Sequence, residues 1–217
     1  MTITSILVKY YYKELTMPKA LSETERNYLK NRLKEETVRC LLHQGLKKTT
    51  VDELVGRVNM PKGTFYLLYP SKELLFFDVL ISFHEEIQSD LLLQMKAMGD
   101  DVTIEKVTEL IFHLYKKVDG SFLASFIASG DLELLMRKLP PKLIQEHAET
   151  DDFSMETFLS FLPIQTEEHD IRVCSASLRA VFFTLLHKRE IGEDLFDEAI
   201  KIMISGIVSH LFTKKVL

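Results

Sequence analysis

Apolar residues recur every three or four positions along nearly the whole chain, and this spacing restricts the protein to helices. Between Ser22 and Gln44 they follow the 3.6-residue period of a helix and not the two-residue period of a strand. Two stretches near the end of the sequence, Glu168 to Arg189 and Asp194 to Phe212, show the same period. Glycine occurs eight times and proline six times, which is too seldom for a turn-rich β protein. The sequence therefore predicts an all-α fold.

The composition argues against several other classes of protein. With 217 residues, 46% of them hydrophobic, the chain is long enough to bury a core without covalent staples. Cys40 and Cys174 are too few for a disulfide framework or a zinc site built from four cysteines. No run approaches the ~18 consecutive apolar residues of a membrane helix. The N-terminal residues lack the basic region and the cleavage site of a signal peptide. We therefore expect a cytoplasmic protein.

The net charge of −5 conceals two regions of opposite sign. Residues 17–72 contain eleven Lys or Arg and six Asp or Glu, whereas residues 73–217 contain fourteen and twenty-five. A basic segment on an acidic chain is typical of a module that binds a polyanion such as nucleic acid. A chance distribution of surface charge gives the same counts, so charge alone does not decide between these two interpretations.

Within the basic segment, turn signals separate two short helices. Thr50 and Glu53 form the pattern of a capping box that opens a helix of about two turns. Asn59 tolerates the left-handed turn conformation, and Pro61 suits the start of the next helix, which ends near Leu68. This is the spacing of a helix-turn-helix, in which the first helix supports the second and the second enters the major groove of DNA.

Hydroxyl and basic side chains cluster at the starts of these two helices. Lys48, Thr49 and Thr50 precede the first helix, where free backbone N–H groups and the helix dipole favour a phosphate. Side chains of the same chemistry are suited to phosphate and base-edge contacts at the second helix and just after it. These further candidates are Lys62, Thr64, Tyr66 and Lys72.

Three sequence blocks carry a family resemblance: TTVDELV at residues 49–55, NMPKGTFY at 59–66 and YPSKELL at 69–75. They resemble the N-terminal domain of the tetracycline-repressor (TetR) family, over a stretch from about Glu25 to Leu80. The resemblance implies an all-α homodimer that binds double-stranded DNA at a palindromic operator. It also implies the following set of DNA-binding residues: Lys48, Thr49, Thr50, Pro61, Lys62, Gly63, Thr64, Tyr66, Tyr69 and Lys72.

The sequence departs from the usual pattern of that family at several positions. Leu68 stands where a histidine or another polar residue is frequent, and Tyr69 stands where phenylalanine is usual. Asn59 replaces the frequent turn glycine, and Pro61 replaces the Ser or Thr that opens the recognition helix. The missing imidazole and hydroxyl remove two DNA contacts that other members can make.

The resemblance divides the chain into three parts. Residues 1–16 are an N-terminal extension outside the match, and Met17 is an alternative start. Residues 17–70 are the helix-turn-helix domain, and residues 71–217 form the effector-binding and dimerisation domain.

The second domain is expected to hold a small-molecule effector among large side chains and to dimerise through its last two helices. Packed core is the alternative interpretation for each aromatic side chain. The candidate pocket residues are Phe83, Ile87, Phe112, Tyr115, Phe122, Phe126 and Phe158. The candidate dimer residues are Phe182, Leu185, Leu186, Ile204, Ile207, Val208 and Leu211.

The sequence lacks the motifs that would indicate an enzyme. It contains no H-E-x-x-H or E-x-x-H pattern, no glycine-rich phosphate loop and no G-x-S-x-G turn. We therefore expect no catalytic residues, no metal and no cofactor. The favoured interpretation is a transcriptional regulator, a repressor released from its operator by a small molecule. The alternative is an architectural or partner-binding protein that uses the same DNA-binding domain without such regulation.

Overall fold

The fold is described from a computed structural model, which covers residues 21–99, 101–150, 155–162 and 167–213. The N-terminal extension and the alternative start at Met17 lie outside these ranges. Within them the chain forms helices and no strands, which confirms the predicted all-α fold. None of these helices is long and apolar enough to cross a membrane.

Twelve α-helices follow one another in the described ranges, with a short 3₁₀ turn, Thr184–His187, between the tenth and the eleventh. They are α1 (Glu23–Lys48), α2 (Val51–Val58), α3 (Lys62–Leu68), α4 (Lys72–Met98), α5 (Ile104–Asp119), α6 (Phe122–Ala128), α7 (Asp131–Lys138), α8 (Pro141–Thr150), α9 (Met155–Ser160), α10 (Glu168–Phe183), α11 (Lys188–Ile191) and α12 (Phe196–Thr213).

The first helix begins at a capping box and is interrupted at a glycine. Ser22 and Glu25 form the capping box, because each side chain accepts a hydrogen bond from the other residue's backbone N–H. Gly45 has φ +74° and ψ −179°, which breaks the regular helix inside the α1 range. This backbone conformation is open almost only to glycine. The chain therefore leaves α1 in a new direction and enters a short connection toward α2.

The described residues divide into two compact units. The first contains residues 21–85 and Ser125–Thr150, and the second contains the remaining described residues. The core of the first unit includes Leu33, Leu54, Phe65, Leu75, Phe76 and Leu135. The core of the second unit includes Val107, Ile111, Phe158, Leu178, Phe196 and Ile204. The domain limits expected from the sequence, 17–70 and 71–217, remain a prediction.

The predicted helix from Glu168 to Arg189 is split in the structure. Helix α10 ends at Phe183, and the 3₁₀ turn connects it to the single turn of α11. The hydroxyl of Thr184 donates to the carbonyl of Val181 at 2.6 Å, a local bond that competes with regular helical geometry. Gly192, with φ +114°, then makes the predicted turn before α12.

Replacing Gly45 by alanine is expected to lower the free energy of unfolding by about 1–3 kcal/mol. A Cβ at this backbone conformation is strained, and it would lie 3.2 Å from the carboxylate of Asp131. Gly56→Ala is the matched control, because Gly56 lies within α2 and a Cβ there meets nothing within 4 Å. The control should raise stability by up to about 1 kcal/mol. Urea unfolding of both variants measures the two changes in the free energy of unfolding. Equal changes would contradict the conclusion that the backbone at Gly45 requires glycine.

Candidate nucleic-acid interface

Helices α2 and α3 are joined by a tight turn and share a buried face. Asn59 adopts the left-handed conformation, with φ 57°, and its N–H bonds to the carbonyl groups at the end of α2. The N–H of Met60 then donates to the carbonyl of Val55 at 3.0 Å, which closes the turn. The apolar side chains that hold the two helices together are Leu54, Val55, Phe65 and Leu68. This arrangement is the helix-turn-helix that the spacing predicts.

The opposite face of the same two helices is exposed and polar. Lys48 and Thr50 are exposed at the start of α2. Pro61, Lys62 and Gly63 are exposed at the start of α3. Further along α3, Tyr66 presents 49% of its surface to solvent, and Thr64 is half-buried. The structure thus brings most of the predicted DNA-binding side chains to the starts of two neighbouring helices.

Two hydrogen bonds organise this exposed face. The hydroxyl of Thr50 accepts the N–H of Glu53 at 3.2 Å and caps α2. The ammonium of Lys62 lies 2.7 Å from the carboxylate of Asp52, which joins the first turns of α2 and α3. The hydrogen bond to Asp52 raises the pKa of Lys62 above its ordinary value. Both partners are exposed, so Lys62 can exchange this carboxylate for a phosphate at little cost.

The predicted capping box at Thr50 is only half formed. The carboxylate of Glu53 bonds Gln44 of α1 and Arg57 of its own helix. These two hydrogen bonds lower the pKa of Glu53, and the side chain ties α2 to α1.

Lys72 supports the connection between α1 and α2. Its ammonium donates to the carbonyl of Thr49 at 2.8 Å and to that of Leu46 at 3.5 Å. It also lies 5.7 Å from the centre of the Phe76 ring. Lys72 is half-buried, and its hydrogen bonds fix the backbone just before Thr50. The sequence did not reveal this role.

Two predicted DNA-binding side chains are buried inside the first unit. Thr49 is fully buried, and its hydroxyl donates to the carbonyl of Gly45 at 2.8 Å. Tyr69 is 4% exposed, and its hydroxyl donates to Asp78 at 2.6 Å. Neither side chain reaches a surface that DNA can approach.

Asp78 belongs to a buried charged network that sequence reasoning missed. Its other oxygen lies 2.9 Å from the ammonium of Lys34 on α1, which also donates to Ser82 at 2.8 Å. Lys30 lies over the ring of Tyr69 at 5.3 Å, and burial lowers the pKa of Lys30 although Asp78 opposes this shift. The available signal was a lone acidic residue in the apolar run LLFFDVLI at residues 74–81. The network fixes the end of α3 to α1 and α4.

The predicted effector-pocket residues fall in both units. Phe122, Phe126 and Phe158 are buried, and the hydroxyl of Tyr115 donates to the carbonyl of Leu178 inside the second unit. Burial raises the pKa of Tyr115. Phe83, Ile87 and Phe112 are half-buried. A cavity of about 280 Å³ in the first unit is lined by Phe126 but by no other residue of this set, and a groove between α10 and α12 in the second unit is lined by none of them. The predicted pocket therefore remains a prediction.

Three predicted dimer residues pack inside the second unit. Ile204, Val208 and Leu211 are buried against their own chain. The opposite face of α12 and the adjoining face of α10 carry the exposed apolar side chains. These line a groove made by Val173, Ser177, Ile202, Met203, Gly206, Ile207 and His210. Ile207 stays at this surface, and Phe182, Leu185 and Leu186 are half-buried.

The fold and the exposed face define a helix-turn-helix protein suited to DNA. Residues 34–79 match the family described as bacterial regulatory proteins, tetR family. A crystal structure of a putative TetR-family transcriptional regulator from Mesorhizobium loti MAFF303099 is similar over 87% of this chain and 98% of that one. Its TM-score is 0.60, at 14% identity.

A second solved structure, RolR in complex with resorcinol, has a TM-score of 0.46 at 18% identity, over 89% of this chain and 99% of that one. No curated protein matches the sequence. The match at residues 34–79 confirms the resemblance to the TetR family that the three sequence blocks predicted.

Removing the hydroxyl of Tyr69 is expected to lower the free energy of unfolding by about 1–3 kcal/mol. The Tyr69→Phe variant leaves the buried carboxylate of Asp78 without one of its hydrogen bonds. Tyr66→Phe is the matched control, since it makes the same change on the exposed face and should alter stability by less than about 0.5 kcal/mol. Chemical unfolding compares the two variants, and equal losses would show that the bond to Asp78 contributes nothing.

Proposed function

We propose that the protein is a transcriptional repressor that a small-molecule effector releases from operator DNA. The observation that carries this proposal is the exposed face at the starts of α2 and α3. There a capped helix start, two lysines and an exposed tyrosine lie together on a rigid apolar base. The match of residues 34–79 to the TetR family supports regulation of transcription. Such a role places the protein in the cytoplasm with the DNA.

In the proposed complex, each helix has its own task. Helix α2 presents Thr50 and the free N–H groups of its first turn to a phosphate, and Lys48 adds a positive charge beside them. Helix α3 enters the major groove with its first turn leading. Lys62 and Tyr66 contact the phosphate backbone, and Thr64 reaches base edges. Gly63 and Pro61 allow the backbone to approach closely.

We propose that the protein acts as a homodimer joined through the exposed faces of α10 and α12. Ile202 is 73% exposed and Met203 is 46% exposed on the same face of α12. Gly206, one turn beyond Ile202, permits a close helix approach, because a Cβ there meets nothing within 4 Å. A two-fold symmetric dimer supplies two α3 helices for a palindromic operator, with half-sites about 34–36 Å apart.

The effector is proposed to act by shifting a conformational equilibrium. It binds more tightly to the conformation whose recognition helices do not match the operator, and so lowers DNA affinity. The match to the TetR family supports this part of the proposal, and the predicted pocket residues are the first place to look for the site.

Lys62→Ala is expected to weaken DNA binding on every sequence and to flatten the salt dependence by about one unit in the slope of log K against log salt. The operator is first selected from a random duplex pool with the wild-type protein. Binding is then followed by fluorescence anisotropy across a salt series.

Lys106→Ala is the matched control for this experiment. Lys106 is also an exposed lysine paired with one exposed aspartate, Asp101, but it lies in the second unit. Its loss should leave the slope unchanged. Equal slopes for both variants and the wild type would show that Lys62 does not contact a phosphate. A wild-type protein that binds DNA without sequence selectivity would refute the proposal as a whole.

Ile202→Asp is expected to convert the dimer to monomer at micromolar concentration while the chain stays folded. A charge at the centre of an apolar contact is costly to bury. Leu93→Asp is the control, because Leu93 is similarly exposed on α4 and does not line the groove of α10 and α12. Sedimentation velocity measures the assembly, and circular dichroism checks the fold. A dimer that survives Ile202→Asp would show that another surface joins the subunits.

A further inference from the structure

Helix α7 lies sixty residues beyond α3 in the sequence, yet it belongs to the first unit together with the helix-turn-helix. It contacts the chain on both sides of that motif. Its first residue, Asp131, bonds the connection that precedes α2, and its last residue, Lys138, pairs with the start of α4 just after α3. The matched family segment, residues 34–79, does not include this helix.

The contact of Asp131 is buried and specific. The side chain is 5% exposed, and its Oδ2 accepts the backbone N–H of Leu46 at 3.0 Å. That N–H follows Gly45, where the regular helix is broken, so it needs a partner from elsewhere in the fold. The space is closely filled, because a Cβ on Gly45 would lie 3.2 Å from the same oxygen.

The connection that Asp131 holds leads directly to the exposed face. Leu46 is four residues before Thr50, the cap of α2. The same short segment is fixed from the other side by Lys72, whose ammonium bonds the carbonyl of Thr49. Two charged side chains from outside the motif therefore set the position of the first turn of α2.

The far end of α7 makes a second contact of this kind. Lys138 lies 3.3 Å from the carboxylate of Glu73, in the first turn of α4. Glu73 follows α3 by five residues, so the pair fixes the chain where it leaves the motif. The two ends of α7 thus hold the two flanks of the segment from α2 to α3.

We infer that Asp131 is a positioning residue for DNA binding and that α7 is a brace for the helix-turn-helix. Asp131 acts through the N–H of Leu46, and Lys138 acts through Glu73. This inference rests on the proposed binding of DNA by α2 and α3. It adds a buried residue whose loss changes the affinity for DNA without removing a DNA contact.

The decisive measurement is the DNA affinity of the full-length Asp131→Ala and Asp131→Asn variants for the selected operator. Both variants remove a negative charge, and simple electrostatics predicts that DNA would then bind more tightly. Positioning predicts the opposite sign. We expect Asp131→Ala to lose about tenfold in affinity, and Asp131→Asn to lose less, because its amide oxygen can still accept the N–H of Leu46.

Hydrogen exchange at Leu46 supplies an independent readout. The amide should exchange faster in Asp131→Ala than in the wild type, since its buried acceptor is gone. Val107→Ala controls for a general loss of stability, because Val107 is a fully buried residue of the second unit. It should destabilise the protein and leave DNA affinity, measured well below the unfolding temperature, unchanged.

A second pair of variants keeps the inference testable if Asp131→Ala does not fold. Lys138→Ala breaks an exposed ion pair and should leave the fold intact. Lys142→Ala removes the same charge from α8 of the same unit, where the side chain pairs with Glu146 of its own helix. We expect about threefold weaker operator binding for Lys138→Ala than for Lys142→Ala.

Three results are therefore distinguishable. The brace is supported if the folded Asp131 variants bind the operator more weakly than the wild type and Lys138→Ala binds it more weakly than Lys142→Ala. Unchanged or tighter binding by folded Asp131 variants, or equal binding by the two lysine variants, overturns it. A wild-type protein that selects no operator refutes the proposed function, and the brace for DNA binding falls with it.

Discussion

The two helices that would meet DNA are too short to hold their own positions, and the surrounding structure compensates for this. Helix α2 has eight residues and α3 has seven, whereas isolated helices below about 12–15 residues are marginal in water. Their geometry therefore depends on groups at their ends. Asp78 holds Tyr69 at the end of α3, and Lys72 and Asp131 hold the connection before α2. Each of these contacts uses a charged side chain from another helix.

Helix caps and turns that depend on residues nearby in the chain were predictable from the sequence. The capping box of Ser22, the left-handed stop at Gly45 and the left-handed turn at Asn59 depend on the local backbone and on side chains within a few residues. The helix-turn-helix follows from the same local rules together with its spacing. For this reason the helix limits agree closely with the sequence, and most DNA-binding candidates lie on one exposed face.

The sequence could not show which residues are buried where burial depends on distant partners. Helix α12 has apolar residues around most of its circumference, and periodicity cannot show which side packs against α5 and α10. Ile204 and Val208 were assigned to the dimer for this reason, and Ile202 and Met203 were overlooked. The environment of Tyr69 was hidden in the same way. Its hydroxyl suits DNA as well as it suits Asp78, and only the fold shows that it points inward.

The charged pairs of the first unit differ in what they can do because they differ in burial. The pair of Lys62 and Asp52 is exposed, so water screens it and a phosphate can replace the carboxylate. The carboxylates of Asp78 and Asp131 are nearly inaccessible, and losing their partners would leave a buried charge uncompensated. Interior pairs therefore fix the helices rigidly, while the exposed pair stays available for exchange. A surface that reads DNA needs both properties, because an exchangeable contact discriminates between sequences only when its position is fixed.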